Sequence, residues 1–283
     1  MDYYLINNII SNDVYLFHEG VRDDKDINVY KCNKTGGMVL DKAKTTNYAD
    51  NNLSYWSCNN INDARMNTYD DDYRRFKSLK NIKFNNLLDF GCGNGGLLKL
   101  IKDNNNKKEI MGIELNLKIV DHLKNIENMK IYNNLNNIPE QIKFDCVMLN
   151  HVLEHLEEPI NTLKKIKSRM KENSLLIIEV PHAEDYLIKM NCKAFKKFTF
   201  WSEHLILHTT ETLNLLLKKA GFFKIEIKYI QRYNIFNHMK WLLEGKPGGH
   251  KTMKPHDSNL VNAYNNYLIK NKMTDTLIAY CYI

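Results

Sequence analysis

From about Asn85 onward the chain alternates short apolar runs with stretches of helical periodicity, the pattern of βαβ units around a parallel sheet. Residues 87–90 predict a first strand, followed by a glycine turn and a helix over 97–102. A second strand over 109–114 leads to a helix over 117–125, and a short third strand falls at 130–132. A fourth strand over 144–149 precedes a helix over 157–170. The unbroken Leu-Leu-Ile-Ile character of 174–180 suits a fifth strand covered on both faces. The pattern over 210–220 is helical, with Thr209 or Thr210 as N-cap and Gly221 as the stop. Residues 222–230 alternate as a sixth strand, and the β-branched and aromatic run 276–283 reads as a seventh. The expected fold is therefore α/β, a Rossmann-like sheet with helices on both faces, occupying 81–283. Residues 1–80, rich in Asn and Tyr and poor in periodicity, are expected to form an N-terminal cap, and 231–275 an insertion before the last strand.

The most informative segment is Leu88-Asp89-Phe90-Gly91-Cys92-Gly93-Asn94-Gly95-Gly96. A strand that enters a glycine turn and then a helix lets bare backbone approach a ligand and aims helix N–H groups at it. Gly91, Gly93 and Gly96 satisfy the dinucleotide-binding spacing, so the glycines alone do not choose a cofactor. Asp89 does discriminate. A carboxylate two residues before the first glycine repels a pyrophosphate and complements a cationic amino acid moiety. Glu114, about 20 residues further on, ends the second strand where an acidic side chain binds ribose hydroxyls in any nucleoside cofactor.

The runs from Asp89 to Gly95, Gly112-Ile113-Glu114, and Phe144-Asp145-Cys146-Val147-Met148-Leu149-Asn150-His151-Val152-Leu153-Glu154-His155-Leu156 resemble successive motifs of class I S-adenosylmethionine-dependent methyltransferases. The last is close to the HVLEH form of small-molecule and sugar methyltransferases. This resemblance implies a seven-stranded sheet whose seventh strand lies antiparallel beside the fifth, and S-adenosylmethionine as cofactor. It places Asp89, Gly91 and Gly93 at the methionine end, Cys92 with them among the cofactor-binding residues, Glu114 on the ribose and Asn134 near the adenine, where the family often has Asp. Asn150 and His151 would border the cofactor, and the cap would close over it through Tyr55-Trp56 and Arg74-Arg75, although core packing explains those pairs equally well.

Acceptor chemistry is expected where ionisable groups gather beyond the strand ends. His151, Glu154 and His155 follow the fourth strand, Pro181-His182 the fifth, and Trp201-Ser202-Glu203-His204-Leu205-Ile206-Leu207-His208 lies in the next connection. His151, His204 and His208 are the catalytic candidates, while Glu154 and His155 read as the structural start of a helix. In the insertion, Glu244-Gly245-Lys246-Pro247-Gly248-Gly249-His250-Lys251 suggests a loop exposing backbone N–H groups and cations to an anion such as phosphate. The plainer alternative is a helix packed through Phe236, Trp241 and Leu242 followed by a basic turn.

A second resemblance runs nearly end to end. Gly20-Val21-Arg22-Asp23, Asp26 to Val29, Glu203 to Thr209, the Gln231 to His250 segment and Thr274-Asp275-Thr276-Leu277 are similar to a methyltransferase group encoded in bacterial capsule and O-antigen clusters. Members modify surface-glycan building blocks, some of them a phosphoramidate group. That similarity implies that Gln231, Arg232, Tyr233, His238, Lys246 and His250 hold a small anionic or sugar acceptor. A hydroxyl acceptor would need a base such as His151, His204 or His208; a phosphoryl oxygen would need only positioning by Arg232, Lys246 and the histidines.

Composition changes this picture little. The net charge of +7 suits an anionic substrate, but the lysines are scattered through an Asn- and Ile-rich chain and form no nucleic-acid arm. With no basic stripe and no Asn-Pro-Pro-aromatic tetrapeptide, no nucleic-acid partner is expected. None of the six cysteines, Cys32, Cys58, Cys92, Cys146, Cys192 and Cys281, has a partner three positions away, so no zinc knuckle or other metal site is expected. Met1-Asp2-Tyr3-Tyr4 does not begin a secretory signal and no apolar run spans a bilayer, so a cytoplasmic protein is expected. A nicotinamide-dependent oxidoreductase, a nucleic-acid methyltransferase and a non-enzymatic cofactor-binding protein remain the rivals, and the oligomeric state is left open.

Overall fold

The structure is a computed structural model that describes residues 1–44, 60–104, 108–125, 127, 129–252 and 258–283. Tyr55, Trp56 and Cys58 lie outside the described residues. In chain order the elements are α1 (Asp2–Ile6), β1 (Val14–His18), β2 (Val29–Cys32), β3 (Met38–Leu40), α2 (Ile61–Ser78), β4 (Asn86–Phe90), α3 (Gly96–Asn104) and β5 (Glu109–Ile113). They continue with α4 (Leu117–Asn125), β6 (Lys130–Tyr132), β7 (Phe144–Asn150), α5 (Pro159–Ser168), β8 (Met170–Pro181), α6 (Tyr186–Lys189) and α7 (Lys193–Thr199). The chain ends with β9 (Ile206–Leu207), α8 (Thr210–Lys219), β10 (Lys224–Ile230), α9 (Ile235–Glu244), α10 (Gly249–Thr252), α11 (Ser258–Lys270) and β11 (Thr276–Tyr282).

The seven-stranded sheet has the order β10-β11-β8-β7-β4-β5-β6. β4 pairs in parallel with both β5 and β7, and β5 with β6, as βαβ units require. β11, last in the chain, lies between β8 and β10, next to the predicted fifth strand. The interior strands read as continuous apolar runs because both faces are covered: every residue from Ser174 to Val180 is buried. β10, at the sheet's end, alternates exposed and half-buried residues along its length. All seven predicted strands are present. β8 starts four residues before the predicted fifth strand, so α5 stops at Ser168 rather than 170.

The chain divides into two compact units, one of residues 1–44, 153–160 and 179–279, the other of 45–152, 161–178 and 280–283. The first unit contains a second sheet, in the order β1-β2-β3-β9, with antiparallel pairing throughout. Its strands are two to five residues long, too short to leave a clear alternation. In the same unit the predicted Thr209 cap is present: its hydroxyl accepts from Thr212 N at 3.3 Å, and its own N–H reaches Thr212 Oγ1 at 2.9 Å. Gly221, at φ +91°, ends that helix. Residues 231–275 carry α9, α10 and α11.

In the second unit, α2 precedes the first sheet strand. Asn60 caps it, its side-chain oxygen accepting from Asn62 N and Asp63 N at 3.0 Å. The helix was not predicted because its apolar face is thin: of 18 residues only Ile61, Ala64 and Asp72 are buried. Among the described residues no helix is long and apolar enough to cross a membrane.

Candidate functional site

β4 carries Asp89 into the glycine turn. Gly91 sits at φ +84°, and a Cβ there would overlap the Val152 side chain just beyond β7. Only glycine meets both conditions. Gly91 N and Cys92 N both donate to Ile113 O, at 2.8 and 2.9 Å, which fastens the turn to the end of β5. The Glu114 carboxylate then accepts from Gly93 N at 3.0 Å and Asn116 N at 2.9 Å. Burial pushes the Glu114 carboxyl up, and these backbone donors oppose the shift.

Asp89 is buried and accepts from Asn150 Nδ2 at 3.3 Å. Burial drives its carboxyl up to about 7; the Arg75 charge works against this, and Asp72 and Glu114 add to it. A carboxyl so placed is poised to ionise when a cation arrives. The strand after Asn150 turns sharply, with His151 at φ +54°, a left-handed conformation that few non-glycine residues adopt.

A third set of contacts comes from α2. Asp72 Oδ2 accepts from Thr68 Oγ1 at 2.9 Å, Thr68 Oγ1 accepts from Asn94 Nδ2 at 3.0 Å, and Asn94 Oδ1 accepts from Gly96 N at 2.8 Å. Arg65 donates from Nε to Asn94 O at 2.9 Å and grips Glu127 with both terminal nitrogens, at 2.6 and 2.9 Å. Asp72 also pairs with Arg75 at 3.4 Å, and a Cβ on Gly96 would overlap Asp72 Oδ2. The turn is thus braced from the helix as well as from the sheet.

In the other unit, Asp275 organises the start of the 231–275 segment. Its carboxylate accepts from Gln231 Nε2 at 2.9 Å and from Arg232 N and Tyr233 N at 3.1 Å, while Asp275 N donates to Gln231 Oε1 at 3.2 Å. Gln231 Nε2 also lies 3.3 Å from His238 Nε2, and His238 Nδ1 lies 2.8 Å from the Tyr264 hydroxyl. The two amide hydrogens of Gln231 are directed to Asp275 and, at 2.6 Å, to Tyr233 O. Burial keeps the His238 imidazole neutral, pushing it down to about 4. Tyr186 stacks on it at 5.6 Å with the rings 2° from parallel. Arg232 lies over the Tyr233 ring at 5.1 Å, and Tyr233 packs on His250 at 5.0 Å.

Residues 62–227, more than half of the chain, match the family described as a methyltransferase domain. The chain belongs to that family. Its methyl donor is S-adenosylmethionine. Solved methyltransferases share the fold. One from Archaeoglobus fulgidus is similar at 19% identity over 81% of this chain and 97% of its own, with a TM-score of 0.52. A possible histamine N-methyltransferase from Thermotoga maritima is similar at 16% identity over 78% and 95%, with a TM-score of 0.50. The plantazolicin methyltransferase BpumL, solved with a monoazolic desmethylPZN analog and SAH, is similar at 15% identity over 78% and 88%, also at 0.50. No curated protein matches the chain in sequence.

The methyltransferase brings Asp89, Gly91, Cys92, Gly93, Glu114 and Asn150 together around one turn. Cys92 contributes backbone; its thiol is buried and lies where a Cβ on Gly112 would meet it. Asn134 is exposed, and its side-chain oxygen accepts from Asn136 N at 2.9 Å, capping a short turn. Of the predicted acceptor residues, Gln231, Arg232, Tyr233, His238 and His250 gather in one unit through the contacts above. Lys246 is exposed, on the turn after α9. That turn differs from the expected display of backbone N–H groups: Gly248 N donates to Asn237 Oδ1 at 2.9 Å, which His250 Nδ1 also reaches at 3.2 Å. His151 and His204 are half-buried. His208 is fully enclosed, with Nδ1 3.2 Å from Thr212 Oγ1 and its imidazole driven by burial to about 4, a placement that suits packing better than proton exchange with a ligand.

Asp72, Thr68, Asn94 and Asp275 were not anticipated as site residues. Asp275 lies in the Thr274-Asp275-Thr276-Leu277 motif, and Asn94 lies inside the glycine segment.

Proposed function

We propose that the methyltransferase transfers a methyl group to an oxygen of a small phosphorylated or sugar-type precursor, including phosphoramidate, in the assembly of bacterial surface polysaccharide. The observation that carries this reading is the Arg232–Tyr233–His250 cluster, a guanidinium and an imidazole against one aromatic ring. Guanidinium binds phosphoryl oxygens in a planar fork, and an aromatic face suits a sugar ring. Gln231, His238 and Lys246 complete the acceptor set, residues 1–80 serve as a cap on a catalytic domain of 81–283, and the enzyme works in the cytoplasm.

The donor site is assigned to Asp89, Gly91, Cys92, Gly93, Glu114, Asn134, Asn150 and His151, with Tyr55 and Trp56 as lid residues. The described residues fit this donor: the glycine turn is held in a fixed shape beside the strand end, and the buried Asp89 carboxyl answers the donor's positive charge. S-adenosylmethionine supplies the methyl group on a sulfonium, which is a good leaving group. The chain's own part is to orient the acceptor, exclude water and, for a hydroxyl, remove a proton through His151.

The test is incubation with labelled S-adenosylmethionine and a panel of phosphorylated sugars, nucleotide sugars and phosphoramidate, beside amines and RNA. Label entering only the amines or RNA would end this reading. Arg232→Gln is expected to lower transfer to the active acceptor by roughly 10- to 100-fold, the worth of a charged hydrogen bond, while calorimetry shows unchanged donor affinity. His151→Gly separates the two acceptor chemistries. It is expected to cost about 10²–10⁴-fold in rate with a hydroxyl acceptor and little with a phosphoryl oxygen, which needs no base.

A further inference from the structure

We propose that Glu154, His155 and His204 form a binding site for a divalent transition-metal ion of the zinc class. One carboxylate oxygen of Glu154 and one ring nitrogen from each histidine lie within 4.8 Å of one another. Metal bonds of about 2.0–2.2 Å set such ligands roughly 3.4 Å apart, so side-chain rotations of about 1 Å close the triad. No metal was expected from the spacing of the cysteines, and this triad joins residues distant in the chain, His155 and His204 standing 49 positions apart (204 − 155).

The surroundings hold the three groups in place. Leu205 N donates to Glu154 O at 2.9 Å, and His204 N to Trp201 O at 3.1 Å, so backbone bonds fasten the two segments on either side of the cluster. His155 Nδ1 lies 2.9 Å from Glu203 O. A carbonyl oxygen only accepts, so Nδ1 carries the proton and a metal would be bound through Nε2, the orienting arrangement found behind metal-bound histidines. The two imidazoles are 5.0 Å apart, and Trp201 packs edgewise on both, at 5.9 and 5.0 Å, with Arg22 covering its ring at 4.6 Å.

The donor set selects the ion. Two neutral imidazoles and one carboxylate match zinc and its neighbours, whereas magnesium and calcium prefer oxygen throughout. Glu154 is fully buried, and a carboxylate in that position is stabilised by a cation. His155 and His204 are half-buried, which leaves a side from which a water or an acceptor oxygen can complete the coordination. The site stands whatever the methyl acceptor proves to be.

The full-length enzyme, stripped with a chelator, is titrated with Co²⁺ and followed by its visible d–d absorption, then challenged with Zn²⁺. Stoichiometric Co²⁺ uptake is expected, without the near-ultraviolet band of a thiolate ligand, and Zn²⁺ should displace it. His155→Ala and His204→Ala are each expected to weaken binding at least about tenfold, with metal-free melting close to that of the wild type. Glu154→Gln serves as the third variant if it folds; the two histidine variants suffice without it. No stoichiometric uptake by the wild type, a thiolate band, or uptake unchanged in both histidine variants would overturn the site and leave the histidines as packing around Trp201.

Discussion

Asp89→Asn weakens S-adenosylmethionine binding by roughly 10- to 100-fold and abolishes most of its pH dependence. The buried Asp89 carboxyl is pushed up to about 7 by burial, so below that pH it carries a proton when the site is empty. A bound cation favours the ionised form, and binding then releases the proton. Affinity in the wild type therefore falls as pH drops below about 7, by up to about tenfold per unit, and levels off above it. Asn keeps the shape and loses both the charge and the proton, which removes a charged hydrogen bond worth about 1.5–3 kcal/mol. Calorimetry at several pH values, in buffers of different ionisation heat, reads the affinity and the proton release together. An Asp89→Asn enzyme with wild-type affinity, or a wild type indifferent to pH from 6 to 8, would remove Asp89 from the donor site.

The second large effect concerns the start of the acceptor segment. Asp275→Ala strips the acceptor from Arg232 N and Tyr233 N at once, while Gln231 Nε2 keeps its 2.6 Å bond to Tyr233 O. Donors left without partners cost about 1–3 kcal/mol each when buried, and water entering beside this half-buried residue offsets part of that. The expected net loss is about 3 kcal/mol, a melting point lowered by roughly 6–12 °C in a chain of this size. Donor affinity is expected to stay within about twofold, and transfer to the acceptor to collapse. Asp275→Asn retains one acceptor oxygen and should fall between the two. A melting point unchanged by Asp275→Ala would show that water replaces the carboxylate without penalty.

Much of the fold was readable because its interior strands are covered on both sides. Runs such as Leu175 to Val180 announce themselves, and the capped start of α8 at Thr209 does too. The β1-β2-β3-β9 sheet was not readable, since its last strand is two residues long and pairs with one more than 160 positions earlier in the chain. α2 escaped for another reason: a polar helix with three buried residues has almost no stripe to detect. In the candidate site, local chemistry was legible and remote chemistry was not. Asp89, the glycines and Glu114 fall within one βαβ unit and follow from spacing. Asp275 acts on residues 42 to 44 positions away, and nothing in its immediate neighbours signals that role.

The bracing of the glycine turn by α2 gives anyone redesigning this enzyme a handle distant from the ligand. Thr68 and Asp72 reach the loop through Asn94 rather than through any group assigned to the donor. Graded changes at Thr68 can tune how firmly the loop is preorganised, whereas a change at Asp72 also moves the Asp89 carboxyl, so the two positions act on the loop and on the donor's charge partner separately.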